Sequence, residues 1–566
     1  VPVTARALRS ALVGALVASC GEAPAPPAGR SPLDLYTPPT CGEGEAALRG
    51  ADGEARCLRV GPAASVGGEF PSSEGAVAPL VYVRAGASGG DGSLASPYGD
   101  LSAALASGAA TVLVARGAHA LRSPLALTRS VEIRGAGAGD GGTRLEAPRE
   151  GGVTVRAPGG ERVAVTLTGL VVRSGAAVAA VGVDVADASV EVTLRDVAVR
   201  GVGLGLRVDG GATLRGERVS VEDTARRGAE VTGGASLVLR DARVARGMGD
   251  GLWADRAHLD LARVLVADHT RDGVALLGAA TEAGACADDP LCTALPAAPA
   301  RACLAGRTVR VHELVDVSVL RNGVTGVRAE GGAFVRAARL LVADTRVPAG
   351  TTGGDGLYVA SGARACLDAD VTSDARRGRG SAFVRNARAG VLADGGSPTP
   401  AGRLGTRLDV AGALLGSNRG PGAFVQNGAL AERVAFTTAS DNVAIGVGSA
   451  RGGRLALLLC DQMLYTRAGA LVTVGVPVML GDGLTLADAD PGAAPTALTQ
   501  SELSHNDRFG LVAHQAAVSA AGARGEGNGF GVGAYGGARV DGAAAVLGRV
   551  AAPLVAATFR GDLPAR

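Results

Sequence analysis

The densest run of chemically capable side chains lies between residues 250 and 260. It reads Asp-Gly-Leu-Trp-Ala-Asp-Arg-Ala-His-Leu-Asp and holds the sole tryptophan, Trp253, with Asp250, Asp255, His258 and Asp260. Paired carboxylates can act as acid and base on a glycosidic bond or can ligate calcium, and an aromatic face beside them can stack on a sugar ring. A long insertion, 278–307, follows one repeat later and is expected to overhang this place. Beyond it, Val309-Arg310-Val311 is expected to stack on Leu259-Asp260-Leu261, which would bring Arg310 beside Asp260. His269 and Asp272 come later in the same repeat and are expected on another face. The competing reading is that these are solvated turn residues with weak ion pairing.

What must position these groups is a repeat. Glycine recurs at 182, 205, 228, 251 and 273, in steps of 23, 23, 23 and 22 residues. Each opens a short apolar alternation, as in Gly205-Leu-Arg-Val and Gly228-Ala-Glu-Val. A fixed period in the low twenties marks a solenoid, whose units bury their apolar faces only by stacking. Within a period the alternation is two, with glycine doublets such as Gly210-Gly211 between runs, so the units are short strands. No fixed Asn or Cys and no leucine frame marks a leucine-rich repeat. The fold class expected is all-β: a right-handed parallel β-helix solenoid of about 15 rungs of ~23 residues with a short N-terminal capping helix. Hydrophobic residues make 47% of the chain and aromatics only 3%, which fits a narrow Val, Leu and Ala column better than an aromatic-cored sandwich. The 88 glycines are expected to serve the corners. The third residues of the opening strands, Asp184, Arg207, Glu230 and Trp253, are expected to stack as a charged ladder.

Residues 80–121 resemble the entry segment of bacterial parallel β-helix proteins of the pectin-lyase-like class. The matching pieces are Tyr82-Val83, the Gly89 to Ser93 loop, Ser96-Pro97-Tyr98, a helix from Leu101 to Leu105, and the strand Val112 to Gly117. The resemblance implies right-handed coiling and a helix that caps the open end. The class includes pectate lyases, polygalacturonases, alginate epimerases, tailspikes and surface proteins, so it does not imply one activity. The polygalacturonase motifs Asn-Thr-Asp, Gly-His-Gly and Arg-Ile-Lys are absent, and Asp288-Asp289 lies in the insertion, not on a strand. Trp253-Ala254-Asp255-Arg256 matches half of the pectate-lyase Trp-x-Asp-His stretch. The chain has no lysine, which excludes a lysine base.

The expected organisation is a lipoprotein signal peptide (1–20), a Pro/Ala-rich tether (21–40), a small Cys-containing segment (41–78), the β-helix (79–555) and a C-terminal tail (556–566). Val17-Ala18-Ser19-Cys20 resembles a bacterial lipobox with Cys20 as the lipidated residue; an ordinary secretory signal is the alternative. Export would permit disulfides. A Cys41–Cys57 bridge would stabilise its segment by about 3 kcal/mol. Cys286, Cys292 and Cys303 share the insertion, where a Cys286–Cys292 disulfide is preferred to a metal site because the spacing is not a zinc pattern. Cys366 and Cys460 read as small buried apolar side chains, and the odd count beyond Cys20 leaves a thiol free or paired between chains.

The balance of 56 basic and 54 acidic residues, with no basic run, argues against nucleic acid. The functional expectation is a non-catalytic cell-envelope lipoprotein, a rod for surface structure, adhesion or glycan recognition. Its partners would be cell-surface polysaccharide or other envelope components, with a lipid anchor to the membrane. The alternative is a polysaccharide lyase, hydrolase or epimerase acting near Trp253–Asp260. No cofactor is expected, apart from calcium in the enzymatic case.

Overall fold

The computed structural model describes residues 37–542, except 64–66, 176–177, 280, 286–300, 305–306, 348–352, 369–376, 397–404, 474–475 and 489–492. Cys20, Cys286, Cys292, the signal segment and the C-terminal tail lie outside the described residues.

The chain coils as a parallel β-helix. One face is a sheet of 15 parallel strands in chain order, from Leu125–Leu127 to Phe530–Tyr535, one strand per rung. At about 4.8 Å per rung the stack is roughly 70 Å long. The other two faces are made by longer bent strands. Val163–Ser174, for example, pairs with Val131–Gly135 over its first half and with Thr143–Ala147 over its second, and it bends at Gly169, φ +63°. Coiling is right-handed, the sense that connections between parallel strands take. Val, Leu and Ala from all three faces fill one continuous core.

The repeat glycines have a different cause from the one expected. None of Gly182, Gly205, Gly228, Gly251 or Gly273 is at positive φ. They are there because the rungs approach closely: a Cβ on Gly251 would lie 2.5 Å from the Gly273 carbonyl oxygen and 2.5 Å from Val266 Cγ1. Two of the corners are instead turned by Asp and Arg at φ +51° to +60°. One corner runs Asp196, Arg218, Asp241, Arg263, Asp316, Arg339 up the stack, and the other Asp223, Arg246, Asp268, Arg321, Asp344, Arg385. Neighbouring rungs pair across opposite charge, as in Arg218–Asp196 and Arg321–Asp268, both 2.8 Å. A side chain in the left-handed region costs about 1 kcal/mol, and these stacked ion pairs offset part of that. The ladder expected on the opening strands has the expected register, Asp184–Arg207–Glu230–Trp253. Its charges pair weakly along the column, with Arg207 3.9 Å from Asp184.

A buried polar ladder lies inside the corner that precedes the opening strands. Asn386 Nδ2 donates to Asn418 Oδ1 at 3.0 Å, and Asn418 Nδ2 to Asn442 Oδ1 at 2.9 Å. Asn322, Asn386, Asn418, Asn442 and Asn506 are all buried. Their amides close the backbone groups that the bend removes from the sheets.

At the N-terminal end, the helix Leu101–Ala106 is capped by Asp100 and sends Leu101 and Ala104 into the core. The open edge of the first strand, Leu80–Val83, is covered by the loop before the helix. Tyr82 N–H donates to Gly92 O (2.8 Å), Arg84 N–H to Tyr98 O (2.9 Å), and Tyr98 N–H returns to Tyr82 O (2.9 Å). The disulfide Cys41–Cys57 is present. It closes an antiparallel hairpin, Glu45–Arg49 with Ala55–Arg59, that packs Ala46, Ala47 and Leu48 onto the outward residues Leu265, Leu320, Leu341 and Ala382 of the mid-stack. Arg49 donates to Gly378 O and Gly380 O, which fastens the hairpin there.

Candidate functional site

The structure separates most of the residues that the sequence groups. Asp255 ends the opening strand Leu252–Asp255, where Arg256 is 3.5 Å away. His258 and Asp260 lie on the next face, in His258–Ala267. His258 Nε2 lies 3.2 Å from Val311 O, and its ring stacks 6.3 Å from that of His312. Asp260 accepts from Arg240 at 2.6 Å. The expected Arg310–Asp260 contact does not form. The strand after the insertion is set so that Asp260 faces Glu313. Arg307–Arg310 pairs antiparallel with Arg301–Leu304 in a small separate sheet, and Arg310 donates to Ser236 Oγ at 2.7 Å. The insertion consumes the residues that the simple repeat would have stacked.

Asp250 and Trp253 do belong to a cluster, and its other members were assigned elsewhere or missed. Asp250 and Asp272 each precede a repeat glycine. They stack on adjacent rungs, with Gly251 N–H donating to Asp272 O at 2.9 Å and Asp272 N–H to Asp250 Oδ1 at 3.3 Å. Asp272 therefore lies on Asp250, not on another face. Both are 2% exposed. Arginines cover them. Arg227 is 3.2 Å from Asp250 and Arg271 3.6 Å, while Arg328 lies 2.9 Å from Asp272. Arg227 also reaches Glu230 at 2.7 Å and lays its guanidinium 4.2 Å from the centre of the Trp253 ring. The 22-residue interval between Asp250-Gly251 and Asp272-Gly273 was the available signal. It was obscured because residues before the repeat glycine vary from rung to rung.

Two further aspartates occupy the same position in later rungs and show what a purely structural role looks like. Asp355 is fully buried, receives Arg388 on both oxygens and accepts the Ala389 N–H at 3.1 Å. Asp482 is likewise gripped by Arg508 and accepts from the Thr485 hydroxyl and the Phe509 N–H. By contrast, Asp272 Oδ1 is buried without a hydrogen bond of ordinary geometry, although the Thr325 hydroxyl lies close enough to favour the ionised carboxylate. Burial, reinforced by neighbouring Asp250 and opposed by Arg328, pushes the Asp272 carboxyl up to about 6. Two carboxylates on adjacent rungs, one with its pKa raised to about 6, have the chemistry an acid–base pair needs at mildly acidic pH.

The nearby histidines are structural. Gly247 N–H donates to His269 Nδ1 at 3.2 Å, so Nε2 carries the proton and faces Val244 O, also at 3.2 Å. Burial holds His269 below the ordinary histidine range. His312 is fully buried, accepts the Leu259 N–H and is pushed down to about 3 by burial and the adjacent His258.

Among the described residues no group of three or more His, Cys, Asp or Glu is placed to hold a metal ion. Cys366 and Cys460 are fully buried and disulfide-bonded, where the sequence suggested simple buried thiols. No described cysteine is free. No described helix is long and apolar enough to cross a membrane.

No family model and no curated protein matches the chain. Among solved structures it is similar to the A-module of the mannuronan C-5 epimerase AlgE4 of Azotobacter vinelandii, with TM-score 0.31 and 14% identity over 81% of this chain and 93% of the other. The AlgE6 A-module of the same organism gives 0.30 and 16% over 78% and 92%. The catalytic domain of a GH87 α-1,3-glucanase gives 0.29 and 12% over 75% and 62%.

Proposed function

We propose that the protein is a carbohydrate-directed β-helix whose working centre is the Asp250–Asp272 pair, with Trp253 as the sugar-stacking surface. The observation that carries this reading is the buried Asp272 carboxyl, whose Oδ1 makes no hydrogen bond and whose pKa burial raises to about 6, beside a second buried carboxylate and unlike its fully bonded counterparts Asp355 and Asp482. In this reading Asp272 donates a proton to the departing glycosidic oxygen as its bond to the anomeric carbon breaks, and Asp250 takes a proton from the water that attacks that carbon. Arg227, Arg271 and Arg328 hold both carboxylates and move aside or engage substrate as it arrives. No cofactor enters the scheme.

The test is an assay of glycan breakdown, reading reducing ends and new ultraviolet absorbance, over a panel of neutral and acidic polysaccharides. Turnover should fall about 100-fold or more in Asp272→Asn and should decline in wild type as pH rises through about 6.

A second reading has its own support: both aspartate side chains lie beneath arginines, at 3% and 2% exposure. A ligand meets the arginines and Trp253 first, as it would on a non-catalytic rod for recognition or adhesion. Glycan binding that persists in Asp272→Asn, with no product from any glycan, selects this reading. Both place the protein in the bacterial cell envelope, tethered through a lipid on Cys20. Release of the protein from membranes in Cys20→Ser tests that anchor.

A further inference from the structure

Away from the aspartate pair, the Asp–Arg corner opens into a hollow of about 600 Å³ whose lining includes Arg321, Arg346, Arg385 and Arg419 around Asp344. Two of the four arginines are committed. Arg321 binds both oxygens of Asp268 at 2.8 Å, and Arg385 also donates to both oxygens of Asp344. Arg346 and Arg419 are different: both side chains are exposed and neither makes an ion pair among the described residues. Each directly follows a residue of the buried polar corner ladder, Thr345 and Asn418. Their backbones are fixed, Arg346 N–H to Asn322 O at 2.8 Å and Arg419 N–H to Asn386 O at 3.0 Å. The next residues in the chain, 348–352, carry no charged side chain. Among the described residues no acid grips Arg346 or Arg419, although Asp268 feels the charge of Arg346, so the hollow presents two guanidinium groups without direct ion-pair partners on a fixed backbone.

We propose that this hollow is an oxyanion-binding site, in which Arg346 and Arg419 grip a carboxylate, sulfate or phosphate group of a ligand. Planar forked donors suit such groups, and a stiff backbone beneath them lowers the ordering cost of binding. The site is independent of the Asp250–Asp272 reading.

Calorimetric titration of the intact protein with sodium sulfate, inorganic phosphate, polygalacturonate and neutral dextran tests it. At least one anionic probe should bind, more weakly as salt is raised, and dextran should not. Binding should weaken about tenfold or more in the Arg346→Ala/Arg419→Ala variant, with each single variant in between. It should be unchanged in Arg162→Ala, whose side chain is 81% exposed elsewhere on the stack. Response to polygalacturonate alone assigns a carboxylated glycan; response to the inorganic ions alone assigns a free oxyanion or a phosphate headgroup. Binding by no anion, or equal binding by wild type and the double variant, overturns the proposal.

Discussion

The rungs before residue 269 and those after it solve the same corner in two ways. In the early rungs the position is held by Val202, Thr224 and Gly247, and the buried Thr224 hydroxyl makes no hydrogen bond there. From Asn322 onward it is held mostly by asparagine, with amide-to-amide bonds from Asn386 to Asn418, Asn418 to Asn442 and Asn506 to Asn528. His269 stands at the junction and imitates an asparagine. Its Nδ1 accepts the Gly247 N–H as Asn322 Oδ1 accepts that of His269, and its Nε2 faces Val244 O as Asn322 Nδ2 faces Val266 O. The Asp250–Asp272 pair lies at this seam. Asp272 Oδ1, like Asp184 Oδ1 and Glu313 Oε1, is buried without a hydrogen bond, and it is Asp272 that lies beside the buried Asp250 at this seam.

The largest effect expected from disturbing this contrast is in the ladder itself. Asn418→Ala removes bonds to Phe383 O, to Asn442 and from Asn386, and leaves buried partners unmatched. A loss of about 3–5 kcal/mol in denaturant unfolding is expected. His269→Asn, which extends the ladder by one rung, should stay within about 1 kcal/mol of wild type. A loss there as large as that of Asn418→Ala would show that the imidazole does something an amide cannot. Next in size is Gly251→Ala, which drives a methyl group into the Gly273 carbonyl and Val266 and should cost about 3 kcal/mol. Gly234→Ala, at φ +78° with open space around it, should cost only about 1 kcal/mol.

These contrasts also separate what the sequence reveals from what it hides. The coil, its strands and its period are legible because alternation and glycine spacing repeat, and the Cys41–Cys57 bridge because its two cysteines flank one short polar segment. The asparagine ladder was readable as Asn four residues before a repeat glycine, at 322, 386, 418, 442 and 506, but insertions of unequal length mask the period there. The candidate site was half legible. Asp250 and Trp253 stand together in the chain, whereas Asp272 reaches Asp250 only through stacking. His258 and Asp260, though close in sequence, cross a corner onto another face. Proximity along a solenoid strand says little; proximity one period away says much.

Two smaller predictions follow the pH. Asp272 is raised in the fold above its unfolded value, so its contribution is fully present below about pH 4 and is lost as pH rises through about 6. The magnitude is at most about 3 kcal/mol, and Asp272→Asn should remove that slope from the stability profile. His312 acts oppositely, being depressed in the fold. It supports the fold above the ordinary histidine pKa and loses that support as pH falls toward about 3. The smallest effect belongs to the outer corners. Arg218→Ala deletes a pair whose arginine is 41% exposed and should cost no more than about 1 kcal/mol, as read by thermal melting.

The account turns on one carboxyl group. A difference infrared titration of wild type against Asp272→Asn isolates its carbonyl stretch directly. A protonated band that disappears with a midpoint near pH 6 is the result expected. A midpoint near pH 4, the value of an ordinary solvated aspartate, would contradict the reading of Asp272 as the acid of this site.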